Sequence, residues 1–374
     1  MPHPLLYEIH ARRWLRQWSD RLGRTVTLAS VPDEAFADWQ RLGFTHLWLM
    51  GVWTTGPRAR HLAANDPALL AAYDAVLPGW RWRDIGGSPY AIADYSVPPE
   101  LGGDSALANF RQRLHAHGLR LVLDFVPNHL GLDHPWTAQR PELFVQSPPH
   151  SPGAFPLETP AGTRWLAHGR DPYFPPWTDT AQLDFRRADT HQAMRQLMLS
   201  VADRCDGLRC DMAMLVLRDV FGRTWADRPA DGPVSTDEFW STAIADLRVR
   251  LPECLLLAEV YWGLDGRLQA LGFHYTYDKP LYDALIRGDG PWVQSHLLEA
   301  SPDFLAASAH FIENHDEPRA AALLDTARHR AAALVTLGLP GLRLVHDGQL
   351  TGARLKLPVQ LARAPAEAPD PALR

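Results

Sequence analysis

Short apolar runs recur along the chain, separated by longer stretches in which apolar residues return every third or fourth position. That alternation predicts an α/β protein, with a parallel sheet whose strands are joined by crossover helices. Eight runs read as strands: Leu5–His10, His46–Trp53, Leu119–Val126, Gly207–Asp211, Leu255–Val260, Phe273–Tyr277, Ala309–Glu313 and Leu342–His346. Eight strands close a (β/α)8 TIM barrel, and 374 residues suit such a barrel with insertions. LRLVLDFV and CLLLAEV are nearly continuous in apolar residues, as strands covered on both faces are.

Helical spacing marks the stretches between them. Pro32–Leu42 puts Phe36, Trp39 and Leu42 on one face. Asp104–His117 opens on an N-cap candidate, Asp104, and stops at Gly118. Thr190–Arg204 and Thr236–Arg250 precede the next two strands, and Glu317–Leu337 is rich in helix formers and ends at GLPG. Two segments break the alternation: Thr54–Gly103, a loop with Trp, Pro and Gly, and Gly131–Asp189, dense in Pro after the third strand. Excursions of that length are usually lids or small inserted domains. The division that follows is barrel over 1–130, a small irregular insert over 131–189, barrel again over 190–361, and a Pro/Ala-rich disordered tail over 362–374.

Composition narrows the partners. A formal charge of -6 with no Lys/Arg block argues against nucleic acid. No apolar run is long enough to span a membrane, and MPHPLLYEIHARRW lacks a signal pattern. A cytoplasmic enzyme is the simplest expectation, although a precursor stripped of its signal would read the same. Cys205, Cys210 and Cys254 have no metal-type spacing and read as buried thiols. Fourteen Trp exceed what sugar stacking alone requires, so core packing takes most of them.

In a parallel barrel the chemistry sits at the carboxyl ends of the strands. The third strand ends in Asp124, Asn128 and His129, the fourth in Arg209 and Asp211, the fifth in Glu259, the seventh in His315 and Asp316. One buried acid on such a rim is better explained by a structural ion pair than by catalysis. The set together points to catalysis. Burial behind three leucines would hold Glu259 neutral, as a general acid requires, and Arg209, two residues from Asp211 on one strand face, would hold Asp211 charged, as a nucleophile requires. That division of labour is the one a retaining glycosidase uses.

These residues stand in segments that resemble the α-amylase family of glycoside hydrolases, from about Leu5 to Leu361: DFVPNH (124–129), GLRCDMAM (207–214), LLLAEV (255–260) and FIENHDEP (311–318), with AQLDF (181–185) as a fifth. The resemblance implies Asp211 as nucleophile, Glu259 as general acid/base and Asp316 as transition-state stabiliser. It implies that Arg209 orients Asp211, that His129 and His315 bond sugar hydroxyls, and that Tyr90 stacks on the reacting sugar, with Asp94 and Tyr95 in the same loop signature. It implies an α-glucoside or oligosaccharide substrate, no required cofactor, Ca2+ as an optional ligand with Asn128 a candidate, and an inserted small domain beside the cleft. Two departures stand out. Met212, Ala213, Met214 and Leu215 replace the Lys-His pair that follows the nucleophile in many amylases, which points to a different acceptor. The stretch after His346 is too short for the family's β-sandwich, so the chain is either a minimal form or a shortened product. Hydrolysis is therefore the first expectation, with a transglycosylase or isomerising relative as alternative and a non-catalytic sugar- or protein-binding barrel as the second.

Overall fold

The computed structural model describes residues 3–159, 162–230 and 232–373; residues 1 and 2, assigned above to the barrel, 160 and 161 in the insert, 231 in the barrel and 374 in the tail lie outside the described residues. Eight parallel strands form a closed ring: β1 (Leu5–His10), β2 (His46–Met50), β3 (Arg120–Phe125), β4 (Gly207–Cys210), β5 (Leu255–Ala258), β6 (Tyr275–Tyr277), β7 (Ser308–His310) and β8 (Leu342–His346), with β8 pairing β1. The pattern locates every strand but overruns β2 by three residues, β5 and β6 by two each, and β7, expected at Ala309–Glu313, by three. Phe311 and Ile312 are as buried as strand residues, yet they follow the last ladder pair, so burial without pairing extended the apolar run.

Helices Asp33–Arg41, Gly103–Ala116, Ala188–Ala202 and Phe239–Arg250 lie on the outside of the ring, near their expected bounds. Asp104 is not an N-cap: Gly102 occupies that position, and the Asp104 carboxylate accepts from Val97 N–H instead. The expected helix Glu317–Leu337 is broken into Ala320–Leu323 and Thr326–Gly338, because Asp325 leaves helical geometry to cap the second piece through Arg328 N–H. Stacked and edge-on rings of Trp14, Trp18, Phe36, Trp39 and Phe110 fill the layer between helices Ala11–Leu22, Asp33–Arg41 and Gly103–Ala116. The three cysteines are free and buried.

The two irregular segments hold more structure than composition suggested. Thr54–Gly103 contains helices Pro57–Ala63 and Pro67–Val76, each opening on Pro at its first turn, where the missing N–H costs nothing. Between β3 and β4 the chain forms an antiparallel hairpin, Ala154–Thr159 with Gly162–Ala167, and a second pairing of His129–Gly131 with Thr180–Gln182. The segment read as a disordered tail is tied to the body: Ala362 N–H donates to Asp84, Arg363 pairs with Asp84 at 3.0 Å, and Asp370 N–H donates to Thr351. A Pro/Ala-rich composition deprives it of regular structure but not of these anchors. No helix among the described residues is long and apolar enough to cross a membrane.

The stretch after β8 crosses back over the barrel and seats Leu361, fully buried, against Tyr73, Leu77 and Ile85. Leu361→Ala is expected to cost about 2–4 kcal/mol, read as a lower urea midpoint with little change in slope. An unchanged midpoint would mean that this stretch does not belong to the cooperative fold.

Candidate active site

Ladder register decides which side chains meet at the rim. Arg209 on β4 is opposite Asp124 on β3, and Glu8 on β1 is opposite Trp48 on β2. The Arg209 side chain is completely buried and spreads across three carboxyls: Asp211 at 2.8 Å, Glu259 at 2.6 Å and Asp124 at 3.4 Å. Rings of Trp48, Tyr90 and Tyr277 surround its guanidinium at 5.0, 5.3 and 5.9 Å. Glu259 is held at both oxygens. Oε2 accepts from Arg209 and from Met212 N–H at 2.8 Å, and Oε1 accepts from the Tyr261 hydroxyl at 2.7 Å. Met212 reaches Glu259 by taking a left-handed backbone, φ 42°, which a side chain tolerates only where its surroundings enforce it.

Asp316 is organised separately. His315 Nε2 lies 3.0 Å from its Oδ2 and 2.7 Å from the Tyr90 hydroxyl, while His315 Nδ1 lies 2.5 Å from Glu8 Oε1. Both imidazole nitrogens are therefore engaged within the protein. Glu8 is fully buried, 307 positions away in sequence. Asp316 is recessed among the other acids, yet 44% of its side chain is open to the cleft.

Five carboxyls (Glu8, Asp124, Asp211, Glu259, Asp316) are paired directly with two cations (Arg209, His315), with Lys356 beside Asp316, so full ionisation would leave an excess of negative charge. Desolvation resolves the conflict by pushing Glu259 up to about 7 and Asp124 up to about 6. Burial also raises Asp211, against the pull of Arg209, with Asp124 and Asp316 adding to the rise. Arg209, expected to orient Asp211, pairs with it and with Glu259 as well: one guanidinium serves both acids. For Asp316, burial works upward, but the charge and hydrogen bond of His315 outweigh it and hold the carboxyl at about 2. His315 in turn is lifted to about 10, because Asp316 and Glu8 overcome its desolvation.

Tyr90, His129, Asp211, Glu259, Tyr261 and Asp316 line one cavity of about 830 Å3. A second, of about 690 Å3, continues past Met212 and Tyr261 and is lined by Phe174, Trp262 and Trp292. His129 is buried, with its ring against Trp177, and desolvation lowers it to about 4. Asn128 does not face the cleft as a free ligand. Its amide is paired in both directions with the Gln182 amide, at 3.2 and 2.9 Å. An amide partner with an N–H pointed at Asn128 does not fit a hard cation, which seeks carboxylate and carbonyl oxygens. Tyr95 sits behind the rim, its hydroxyl accepting from Val126 N–H at 2.8 Å, and Asp94 is exposed and bonded to Ser96.

Sequence reasoning missed Glu8, Trp48, Tyr261 and Tyr277. A strand position with a charged residue between apolar neighbours, LLYEIH, was the available signal for Glu8. Nothing local announces the others, since aromatic residues in apolar runs read as core.

The Glu8–His315 pair carries a pH signature. A histidine raised to about 10 contributes stability that is complete below its ordinary value near 6.5 and is lost as pH climbs through 10. Glu8→Gln removes one of its two counter-charges. Urea midpoints should show the variant well below wild type at pH 6, with the gap closing toward pH 10. A gap constant over that range would mean that Glu8 does not hold a charged His315.

Comparison with known proteins fits this arrangement. The family model for the alpha amylase catalytic domain matches residues 39–278. Alpha-amylase 3 of Dictyoglomus thermophilum is 20% identical over 96% of this chain and 66% of its own length. Alpha-1,4-glucan:maltose-1-phosphate maltosyltransferase of Burkholderia pseudomallei is 28% identical over 63% of this chain and 18% of its own length. The chain thus spans less than two thirds of each of these relatives. Among solved structures, an alpha-amylase from Lactobacillus plantarum superposes with a TM-score of 0.65 at 22% identity, covering 96% of this chain and 74% of that one. The alpha-amylase from Geobacillus thermoleovorans complexed with acarbose gives 0.64 at 18% identity, over 99% and 76%. These likenesses confirm the (β/α)8 fold, and the family's chemistry needs no cofactor. With its family model matched through the strands that carry Arg209, Asp211 and Glu259, this chain belongs to the alpha-amylase family.

Proposed function

We propose that this protein is a retaining glycosidase acting on α-linked glucosides or short α-glucans. The observation that carries the reading is the single buried guanidinium of Arg209 spanning Asp211 and Glu259, at 2.8 and 2.6 Å, on the wall of one cavity. Two carboxyls sharing one fork support the close spacing of a retaining pair, about 5–5.5 Å, over the roughly 6.5–9.5 Å of an inverting one.

In this reading Asp211 attacks the anomeric carbon while Glu259 gives its proton to the leaving oxygen. The proton resides on Oε1, where the Tyr261 hydroxyl can turn to accept it, and Oε2 keeps its bonds to Arg209 and Met212 N–H. Once the leaving group departs, Glu259 is a carboxylate and takes a proton from the attacking hydroxyl, whose oxygen bonds the anomeric carbon as the bond to Asp211 breaks and frees its carboxylate. Asp316 stays ionised throughout and faces the developing positive charge on the sugar, held by His315.

Transfer to a sugar acceptor is the second reading, supported by the aromatic cavity beyond Tyr261 and by the apolar Met212 at its entrance. Excluding water from the intermediate favours an acceptor hydroxyl. Maltosyltransferases and amylases both occur among the relatives.

Chromatography of products from maltose-series sugars, isomaltose, trehalose and sucrose tests both. Shorter sugars indicate hydrolysis and longer ones transfer; all should vanish in Asp211→Asn. Turnover surviving in that variant would remove Asp211 as nucleophile. The value of about 7 for Glu259 predicts that kcat/KM falls as pH rises above neutrality, because the acid form is lost. Glu259→Gln should lower kcat at least about 100-fold and remove that basic limb. A basic limb unchanged in position and slope in the residual activity would assign the titration elsewhere.

A further inference from the structure

A cavity larger than either of those in the cleft lies on the flank of the barrel. Helix Ala11–Leu22 and the excursion Thr54–Gly103 enclose about 1140 Å3 there, and no residue lining it also lines the cavity of Asp211 and Glu259. Five arginines face three acids around it: Arg12, Arg16, Arg24, Arg60 and Arg83 against Asp20, Asp84 and Glu100. Each acid is already taken. Arg16 holds Asp20 at 2.9 Å and Arg12 holds Glu100 at 2.8 Å. Asp84, which also feels the charge of Arg83, is paired with Arg363 at 3.0 Å. The guanidinia of Arg24, Arg60 and Arg83 are left over, on a chain whose formal charge is -6.

The side chains of Arg24 and Arg83 are exposed and make no hydrogen bond or ion pair among the described residues. Arg60 is held more firmly. Its guanidinium lies 5.0 Å from the centroid of the Trp82 ring, and Nη2 donates to Trp82 O at 3.0 Å, which leaves Nη1 without a partner among the described residues. Trp82 is 50% exposed, an indole standing in water beside these cations while most of the other tryptophans are packed in the core.

Unpaired like charges around one cavity repel, and an anion bound among them would relieve that repulsion. Guanidinium forks match the oxygens of a phosphate, and three cations exceed what one carboxylate neutralises. The negative net charge of the chain disfavours a long polyanion, whereas a cavity of this size takes a small molecule. The open part of the indole offers such a molecule's ring an apolar surface.

We infer that Arg24, Arg60 and Arg83 bind the phosphate group of a small phosphate ester whose ring packs on Trp82. The site stands apart from the cleft and rests on no part of the catalytic reading.

Calorimetry at low salt tests it with inorganic phosphate, glucose 1-phosphate and AMP, on wild type and on an Arg24→Gln/Arg83→Gln double variant. Neither of these side chains has a partner within the protein, so their replacement leaves the fold intact. Wild type should bind one ester more tightly than inorganic phosphate, and the ester preferred tells a sugar ring from a purine. The double variant should bind that ester about 10- to 100-fold more weakly, the range for hydrogen bonds to charged groups. Trp82→Ala should erase the advantage of the ester over inorganic phosphate. A control variant, Arg164→Gln/Arg223→Gln, removes the same charge from exposed positions elsewhere and should bind as wild type does. Absence of binding by wild type overturns the site, as does an affinity that the double variant leaves unchanged or that the control lowers equally. Inorganic phosphate bound as tightly as both esters overturns the inferred ester and its packing on Trp82.

Discussion

A guanidinium with no exposed surface must find its counter-charges inside the protein, and Arg209 finds three on the strands and loops around it. Removing a cation from water costs several kcal/mol, which only well-placed partners offset. The consequence runs outward. Asp124 and Glu259 are drawn into a space too apolar to leave every acid ionised, and protons must settle on some of them. Deleting Arg209 would therefore do more than remove a contact. It would leave Asp124, Asp211 and Glu259 without an ion-pair partner, since His315 and Lys356 both lie on the Asp316 side. Both proposed catalytic acids depend on this one side chain for their charge and for their orientation.

Two clamps of different kinds organise the rim. Arg209 uses a permanent charge and a rigid fork, which suits two groups that must keep their spacing while a proton moves on and off one of them. His315 uses a charge that exists because Glu8 and Asp316 sustain it, and it fixes an acid that is to stay ionised. Met212 belongs to the first clamp, since its left-handed backbone aims an N–H at Glu259. Strain of that kind costs on the order of 1–3 kcal/mol, and here it fixes an N–H donor on Glu259.

Much of this was legible in the sequence because barrel strands are buried on both faces and end in polar residues at one rim. The runs before Asp124, Asp211 and Glu259 announce strands by their lack of alternation, and the acids at their ends announce the site. What escaped was set by neighbours distant in sequence. Tyr261 and Tyr277 look like core aromatics until β4, β5 and β6 stand side by side. Glu8 acquires its partner only from the loop after β7. The helices Pro57–Ala63 and Pro67–Val76 escaped for a local reason: prolines at their first turns read as loop punctuation, and each helix is too short to show a full apolar stripe. The break at Asp325 likewise turns on one cap inside a stretch whose average propensity is high.

The Glu8–His315 contact also has a consequence for the order in which the molecule comes into being. Glu8 leaves a ribosome well before its partner, which follows 307 positions later, with β8 still to be made before β1 has both its neighbours. Contacts of such long range are the last that a growing chain can form. A nascent or prematurely ended chain can hold Arg209, Asp211 and Glu259 and still lack the held Asp316. Closure of the barrel is thus written into the chemistry: the rim becomes whole only when β8 meets β1.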